Sequence, residues 1–145
     1  MVAGSGLLED YLKARAKELA IDAYFIGPKK QEEIAYLYKN TDIFVLPSLS
    51  DPNPLTCAEA LWSKKPLLVS NHVGNYPEVI KQGENGFMFS YTDKENAVEI
   101  IEEMISKSDQ WRVQAGEKSY ELAQSIYNSS AVVKRVRKEL CECEE

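Results

Sequence analysis

The sequence predicts an α/β fold in which helices flank both faces of a parallel β-sheet, a doubly wound arrangement, with further helices at the C-terminal end. Apolar runs of strand length alternate with amphipathic stretches from the start of the chain to about residue 90, which is typical of repeated β-α-β units. The apolar runs are unbroken, whereas a strand with one wet face would alternate apolar and polar residues. After Tyr91 only helical spacing is found.

Four short segments predict the strands. The chain opens with the end of a strand that runs into a glycine turn at residues 2–6. Three apolar runs follow, each bounded on at least one side by Gly or Pro, at residues 23–26, 42–46 and 67–70. Since these runs are unbroken, both faces of each strand are expected to be covered.

Apolar residues at spacings of three and four predict the helices. Their apolar positions are Leu8, Leu12, Ala16 and Leu19 for residues 7–21; Ile34, Leu37 and Tyr38 for residues 31–39; and Ala97, Val98, Ile101 and Ile105 for residues 93–105. Thr92 or Asp93 is expected to cap the third helix. Helices continue to about residue 140, with an interruption near residues 128–130.

Composition indicates one compact domain over residues 1–145, with 44% hydrophobic and 28% charged residues. The net charge of −6 argues against a protein whose whole surface binds nucleic acid. Residues 134–138 form one local basic cluster on the last predicted helix. A face that is solvated or contacts another domain explains this cluster better than a nucleic-acid or lipid site.

The cysteines and the termini indicate the setting of the protein. Cys57, Cys141 and Cys143 are too few, and odd in number, for a disulfide scaffold. Cys141 and Cys143 have no second pair of ligands nearby in sequence, so no metal site is expected there. No signal peptide or membrane-length apolar run is present, and a reducing cytoplasmic setting fits best. Because only Met1 precedes the first strand, the chain is expected to begin inside a larger protein.

The stretch PSLSDPNPLTCAEALWSKKP, residues 47–66, leaves a predicted strand and enters a helix, so it lies at the carboxyl edge of the sheet where such folds bind ligands. Asn53 precedes a proline and is a favoured N-cap. Pro54 would then occupy the first helical position. Leu55 and Thr56 would present free backbone N–H groups at the positive end of the helix dipole, which is a ready anion site.

Glu59 follows these amides by three and four residues, on the same face and about 5–6 Å further along the helix axis. A diphosphate and its adjoining ribose are separated by a similar distance, and a carboxylate accepts hydrogen bonds from ribose hydroxyls in other nucleotide folds. The geometry therefore suits a nucleoside diphosphate. The alternative, that Glu59 is a solvated helix residue and the prolines form an ordinary loop, stays open on these grounds.

Several motifs resemble those of the C-terminal, donor-binding half of retaining GT-B glycosyltransferases, the family 4 or group 1 type, over nearly the whole chain. Residues 25–27 match the family's "FLG", and residues 41–48 match "ADVFVLPS". Asp51, Glu59, Ala60 and Pro66 match two acids separated by seven residues and followed by Ala and Pro. Residues 74–80 match "GG-x-PE-I/V-V", and residues 83–86 match "DG-x-NG". The fold implied is the Rossmann-like half of a GT-B enzyme.

The resemblance also implies roles for individual residues. Asp51 takes the place of the acid near the donor sugar, which is the catalytic position, and Glu59 that of the ribose ligand. Asn53, Pro54, Leu55 and Thr56 lie between them, along the sugar and diphosphate. The nucleobase would lie near the second strand, at Ile26 and Gly27.

Three departures from the family pattern affect this site. Asp51 replaces a Glu and is one methylene shorter, Pro54 replaces a Gly and lacks an N–H, and Lys64 replaces a Gly at a helix end. The family's Arg and Lys on the diphosphate, and its N-terminal acceptor domain, belong to sequence upstream of the matching strand. The chain is therefore expected to bind a nucleotide sugar without catalysing transfer alone.

The implied reaction is transfer of a sugar from a nucleotide-diphosphate sugar to an acceptor with retention of configuration. The implied pathway is polysaccharide or lipopolysaccharide assembly. The implied location is the cytoplasm, or the periphery of the inner membrane through the missing domain. No Asp-x-Asp pair is present and no cofactor is expected. His72 is assigned to loop ordering. The alternatives are a non-catalytic nucleotide-binding or regulatory module and, less favoured, a sugar-nucleotide epimerase.

The last predicted helix, about residues 130–141, has an apolar face that comprises Val132, Val133, Val136 and Leu140. The resemblance implies that this face would pack on the missing N-terminal domain.

Overall fold

The computed structural model describes the backbone of residues 1–142, together with the side chains of these residues except 131, 135 and 138–142. The chain divides into two compact units, Met1–Leu37 and the part that begins at Tyr38. The elements are β1 (Val2–Ala3), α1 (Glu9–Glu18), β2 (Phe25–Gly27), α2 (Gln31–Lys39), β3 (Phe44–Leu46), α3 (Leu55–Trp62), β4 (Leu67–Ser70), α4 (Tyr76–Val79), β5 (Gly86–Phe89), α5 (Lys94–Ser106), α6 (Asp109–Tyr127) and α7 (Ser129–Glu142).

In the first unit β1 and β2 form a parallel pair. The amide of Gly4 donates to the carbonyl of Gly27 at 2.9 Å, and both glycines have positive φ, +110° and +66°. The predicted glycine turn after β1 is therefore confirmed. The helix that follows is shorter than predicted, and its leucines Leu8, Leu12 and Leu19 are exposed. Two strands of two and three residues offer too little surface to bury one face of this helix.

The second unit contains a parallel sheet with the strand order β3-β4-β5. The central strand, β4, is buried at all four positions, as an unbroken apolar run predicts. For β3 the prediction of two covered faces is wrong, because Val45 is 49% exposed. The register places Val45 next to Leu68, which lies next to Phe87 on the following strand, on the face that packs against Met104 of α5. Since α5 packs against β5, Val45 lies at the far edge of this face.

Helix α5 begins where the sequence predicts, with Asp93 as its N-cap, whose carboxylate accepts a hydrogen bond from the Asn96 amide at 3.0 Å. The buried side of this helix differs from the predicted one. Met104 is fully buried, whereas Val98 and Ile105 are exposed. The side chains that cover the sheet with Met104 are Ala97, Ile100 and Ile101.

Helix α6 packs against α3, and Gly116 allows the close approach, because a Cβ at this position would lie 2.3 Å from the Lys64 carbonyl oxygen. The break at Asn128 separates α6 from α7 near the predicted place. On α7, Val133 and Val136 are exposed, and the side chain of Leu140 lies outside the described ones. Within residues 1–142, no helix is both long and apolar enough to cross a membrane.

Cys57 is buried and unpaired. The side chain of Cys141 and the whole of Cys143 lie outside the described part of the chain.

Candidate functional site

The loops that follow β3 and β4 lie side by side at the carboxyl edge of the sheet. Asp51 and Val73 form an isolated parallel bridge between these loops. The Gly74 amide donates to the Asp51 carbonyl at 2.8 Å, and the Asp51 amide donates to the His72 carbonyl at 3.3 Å. The backbone that carries Asp51 is therefore held by the neighbouring loop. In open α/β sheets this edge is the usual place for a ligand.

Two residues of the β4 loop hold the proline-rich loop from the side. Gly74 lies against the backbone of Pro52, and the Asn75 side-chain amide donates to Asn53 Oδ1 at 3.0 Å. Asn75 is only 6% exposed, and its Oδ1 has no hydrogen-bond partner in the described part of the chain. The sequence places Gly74 and Asn75 in the motif at residues 74–80 and predicts no role for them in the site. Their position after β4, at the same sheet edge as Asp51, is the signal that points to one.

The predicted cap of α3 is wrong. The N-cap is Pro54, with φ −66° and ψ 122° and no side-chain cap, and the helix begins at Leu55. Asn53 lies one position before the N-cap; its side-chain oxygen accepts from Asn75, and its own amide donates to Asp51 Oδ1 at 3.3 Å. Pro54 therefore lies one residue before the first helical position. Its ring still fixes the direction in which the chain enters the helix.

The first turn of α3 has two free backbone donors. The Cys57 amide donates to the Pro54 carbonyl at 3.2 Å. No acceptor among residues 1–142 pairs with the amides of Leu55 and Thr56, and both residues are exposed. These are the two amides that the sequence predicts to bind an anion. Free N–H groups at the start of a helix, together with the helix dipole, favour a negatively charged ligand.

Glu59 lies in the next turn of α3 and is half-buried. The hydroxyl of Tyr38 lies 3.4 Å from Glu59 Oε2 and 3.1 Å from the Thr56 carbonyl oxygen. Glu59 is therefore not the fully solvated helix residue of the alternative interpretation. The sequence predicts Tyr38 only as part of the apolar face of residues 31–39. No pattern in the neighbouring sequence distinguishes it from a tyrosine of the hydrophobic core.

Burial and charge affect the ionisation of two groups beside this helix. Burial, followed by the charge of Glu59, raises the pKa of Tyr38 above its ordinary value, so its hydroxyl stays protonated. Burial, with a smaller contribution from the charge of Asp51, raises the pKa of Cys57 to about 12. A thiol with this pKa is a poor nucleophile, so Cys57 is a packing residue.

Three further residues named in the sequence analysis, Ile26, Gly27 and Lys64, belong to other segments of the chain. Ile26 and Gly27 are half-buried in β2 of the first unit. Lys64, which replaces a family glycine, has φ +55°, a backbone conformation in which glycine is favoured. Its ammonium pairs with Glu117 at 2.8 Å.

His72 is exposed and its ring meets Tyr91 edge-on at 4.7 Å, a contact between loops in keeping with the role in loop ordering. In the described residues, no group of three or more His, Cys, Asp or Glu side chains could hold a metal ion.

The chain is similar to several known proteins. It is 34% identical over 88 residues to an uncharacterized glycosyltransferase of Methanocaldococcus jannaschii, covering 59% of this chain and 22% of that protein. It is 29% identical over 141 residues to spore coat protein SA of Bacillus subtilis, covering 92% of this chain and 36% of that protein. The chain thus spans about a fifth to a third of the length of these relatives.

Among solved structures, Anabaena HepE in complex with UDP superposes with a TM-score of 0.76 at 20% identity, covering 97% of this chain and 40% of that one. The C-terminal domain of the Francisella tularensis glycosyl transferase LpcC superposes with a TM-score of 0.70 at 25% identity, covering 85% of this chain and 65% of that one. These likenesses confirm the predicted Rossmann-like α/β fold of GT-B enzymes.

Residues 1–122 match the family described as Glycosyl transferases group 1. This match covers most of the chain and includes β3, α3 and the loops that hold Asp51. The chain belongs to the glycosyl transferases group 1 family.

Proposed function

We propose that this chain forms the donor-binding part of a glycosyltransferase that transfers a sugar from a nucleoside-diphosphate sugar to an acceptor with retention of configuration. One observation carries the proposal: α3 begins with two free amides, at Leu55 and Thr56, and carries Glu59 one turn further along. The diphosphate would bind the amides, and the ribose hydroxyls would donate to Glu59.

Charge supports this assignment. A diphosphate leaving group develops negative charge as the sugar departs, and donors fixed before the reaction stabilise that charge. The rigid entry of the chain at Pro54 keeps the Leu55 and Thr56 amides in place. A metal-independent site with no cofactor is part of the proposal, because the helix end supplies the positive potential that a divalent cation would otherwise supply.

Asp51 and Asn53 are proposed to contact the sugar. Asp51 is half-buried and its backbone is held by the β4 loop, so its carboxylate is fixed next to the start of α3. Pro54, the other residue proposed for the donor site, is buried and acts there by fixing the entry of the chain into α3. The contacts of Ile26 and Gly27 with the nucleobase stay a prediction from the resemblance.

Relatives indicate the donor class and the partner. HepE has been solved with UDP-glucose, and Staphylococcus aureus TarM with UDP, at 18% and 15% identity to this chain. Since the chain covers 40% and 27% of these proteins, an N-terminal acceptor domain is proposed as its partner, and residues 1–145 as a single domain that is inactive alone. WaaG is described as involved in lipopolysaccharide biosynthesis, which supports a role in cell-surface polysaccharide assembly; a cytoplasmic location is part of the proposal.

Calorimetric titration of UDP, GDP, ADP and their sugars into the chain tests the proposal. At least one nucleoside diphosphate is expected to bind, and Glu59→Ala is expected to weaken it tenfold or more, since a hydrogen bond to a charged group contributes roughly 1.5–3 kcal/mol. Glu99→Ala, an exposed acid on α5, is the matched control and should bind as the wild type does.

The same titration addresses the alternative of a non-catalytic module. One observation favours that alternative: the N-cap is a proline, which lacks the N–H that a glycine would offer to a phosphate. Equal heats for the wild type and Glu59→Ala, or no heat with any nucleotide, would support the module and overturn the donor site.

A further inference from the structure

We propose that Tyr38 is a positioning residue of the donor site, whose hydroxyl holds the Glu59 carboxylate in a fixed place relative to the first turn of α3. The inference rests on the proposed function, because it assigns Tyr38 to the recognition of the ribose. Tyr38 lies at the end of α2, 21 positions before Glu59 in the sequence.

The contacts of the hydroxyl carry the inference. It lies 3.1 Å from the Thr56 carbonyl oxygen and 3.4 Å from Glu59 Oε2. One oxygen atom therefore contacts both the peptide chain of the first turn and the carboxylate one turn later. Because the free amides lie in that first turn, Tyr38 links the two groups that would bind the diphosphate and the ribose.

The ring that carries this hydroxyl is itself held. Tyr38 is 8% exposed, and its ring packs against Phe44 of β3 at a centroid distance of 5.8 Å. Its carbonyl accepts a hydrogen bond from Thr41 Oγ1 at 3.2 Å, and the Thr41 carbonyl accepts one from Lys65 Nζ at 2.8 Å. The end of α2 is thus fixed to the segment that follows α3, so the hydroxyl cannot move far from Glu59.

Counting donors and acceptors shows that Tyr38 would not compete with a ribose. A tyrosine hydroxyl donates one proton, whereas a carboxylate has about four acceptor positions. The Tyr38 proton is shared between the Thr56 carbonyl oxygen at 3.1 Å and Glu59 Oε2 at 3.4 Å, so it takes at most one position on the carboxylate and leaves about three for the ribose hydroxyls, which also donate. Glu has one of the larger side-chain entropies, so holding it before the ligand arrives reduces the entropy lost on binding.

A neutral donor is well suited to this task. A lysine or arginine beside Glu59 would neutralise its charge and weaken it as an acceptor for the ribose, whereas a hydroxyl orients the carboxylate and leaves the charge in place.

Tyr38→Phe removes the hydroxyl and keeps the ring. In calorimetric titrations of the full 145-residue chain, this variant is expected to bind UDP about three- to tenfold more weakly, because the lost proton is shared with the Thr56 carbonyl and lies 3.4 Å from Glu59 Oε2. Binding of 2′,3′-dideoxy-UDP and of inorganic pyrophosphate is expected to stay within a factor of about two, because neither ligand presents the ribose hydroxyls. A purely structural role would weaken all three ligands alike, and that result would overturn the inference.

A double-mutant cycle with Glu59→Gln tests whether Tyr38 acts through Glu59. In the Glu59→Gln background, Tyr38→Phe is expected to change UDP binding by less than about twofold. If the two substitutions weaken UDP binding by factors that multiply in the double mutant, the inference is wrong. Tyr120→Phe, a tyrosine on α6 that packs on Trp62, is the control and should bind all ligands as the wild type does.

A third measurement needs no variant. With 13C at the tyrosine Cζ atoms, the Tyr38 resonance is expected to shift on addition of UDP and to stay unchanged with 2′,3′-dideoxy-UDP. A Tyr38 signal that UDP leaves unmoved would overturn the inference. If the wild type binds none of UDP, GDP and ADP, the proposed function fails and the inference fails with it. If UDP binds equally well to the wild type and Tyr38→Phe, only the inference fails.

Discussion

Gly74 lies so close to the backbone of Pro52 that a Cβ atom at position 74 would be 2.4 Å from the Pro52 carbonyl oxygen. Its φ is not in the left-handed region, so glycine is required there for space. The contact lies beside the hydrogen bond from the Gly74 amide to the Asp51 carbonyl. The β4 loop therefore holds the loop that carries Asp51 and leads into α3.

Gly74→Ala is expected to destabilise the protein by about 1–3 kcal/mol, because the added methyl group meets backbone that cannot move without breaking the loop contact. UDP binding should weaken as well, since the start of α3 would shift. Urea denaturation measures the first effect and calorimetry the second. Gly6→Ala is the control, because a Cβ at Gly6 has no atom within 4 Å. If both variants unfold at the same urea concentration, the loop contact is absent in solution.

Asn85 is fully buried in the turn before β5. Its Oδ1 accepts from the Lys81 amide at 2.6 Å, and its Nδ2 donates to the Val79 carbonyl at 2.9 Å and to Ser119 Oγ at 3.3 Å. It thereby joins the turn to α6.

Asn85→Leu has a similar size but leaves the Lys81 amide and the Val79 carbonyl without partners. We expect a loss of about 2–4 kcal/mol in the free energy of unfolding, since each unsatisfied buried group costs roughly 1–3 kcal/mol. Gln110→Leu, at an exposed position of α6, should change stability by less than about 0.5 kcal/mol. Equal stabilities for the two variants in urea denaturation would contradict the assigned hydrogen bonds.

The elements that local sequence determines were predicted well. The bounds of α2 and β4 agree with the predicted residues 31–39 and 67–70, because helical spacing and an unbroken apolar run are properties of adjacent residues. The cap at Asp93 is likewise a contact within one helical turn. The spacing between the Glu59 carboxylate and the two free amides of α3 could also be predicted from local sequence, since it follows from helix geometry alone.

The contacts that local sequence cannot determine join distant residues. The predicted Asn53 cap is wrong because the helix begins one residue later than predicted, and the Asn53 side chain instead bonds Asn75, 22 residues away. The link between Tyr38 and Glu59 joins residues 21 positions apart within the second unit, and no pattern of adjacent residues records it. The exposure of Val45 depends on which strands α5 covers.

Cys57 is expected to resist alkylation in the native protein. Its pKa is raised from 9.0 to about 12, which makes the thiolate fraction at pH 8 roughly a thousandfold smaller than for an ordinary thiol, and burial blocks access. Iodoacetamide at pH 8, followed by mass spectrometry of the peptide that contains Cys57, should show modification in urea but not in buffer. Modification at equal rates in both would mean that α3 opens readily.

Stability at alkaline pH is expected to depend on Tyr38. The folded-state pKa of its hydroxyl lies above the ordinary value of 10.0, first because of burial and then because of the Glu59 charge. Above pH 10 the unfolded chain therefore loses this proton while the folded protein keeps it. Tyr38 then contributes stability that is fully present below pH 10 and is lost as the pH rises toward the folded-state pKa, at up to about 1.4 kcal/mol per pH unit.

Urea denaturation between pH 9 and 11 measures this effect as the difference between the wild type and Tyr38→Phe, in which other titrating groups cancel. The wild type should lose stability more steeply with pH than Tyr38→Phe. Glu59→Gln should keep most of the wild-type dependence, because burial, the larger cause of the raised Tyr38 pKa, remains. Parallel curves for the wild type and Tyr38→Phe would mean that the Tyr38 hydroxyl is not buried in solution, since an exposed hydroxyl would titrate alike in the folded and unfolded states.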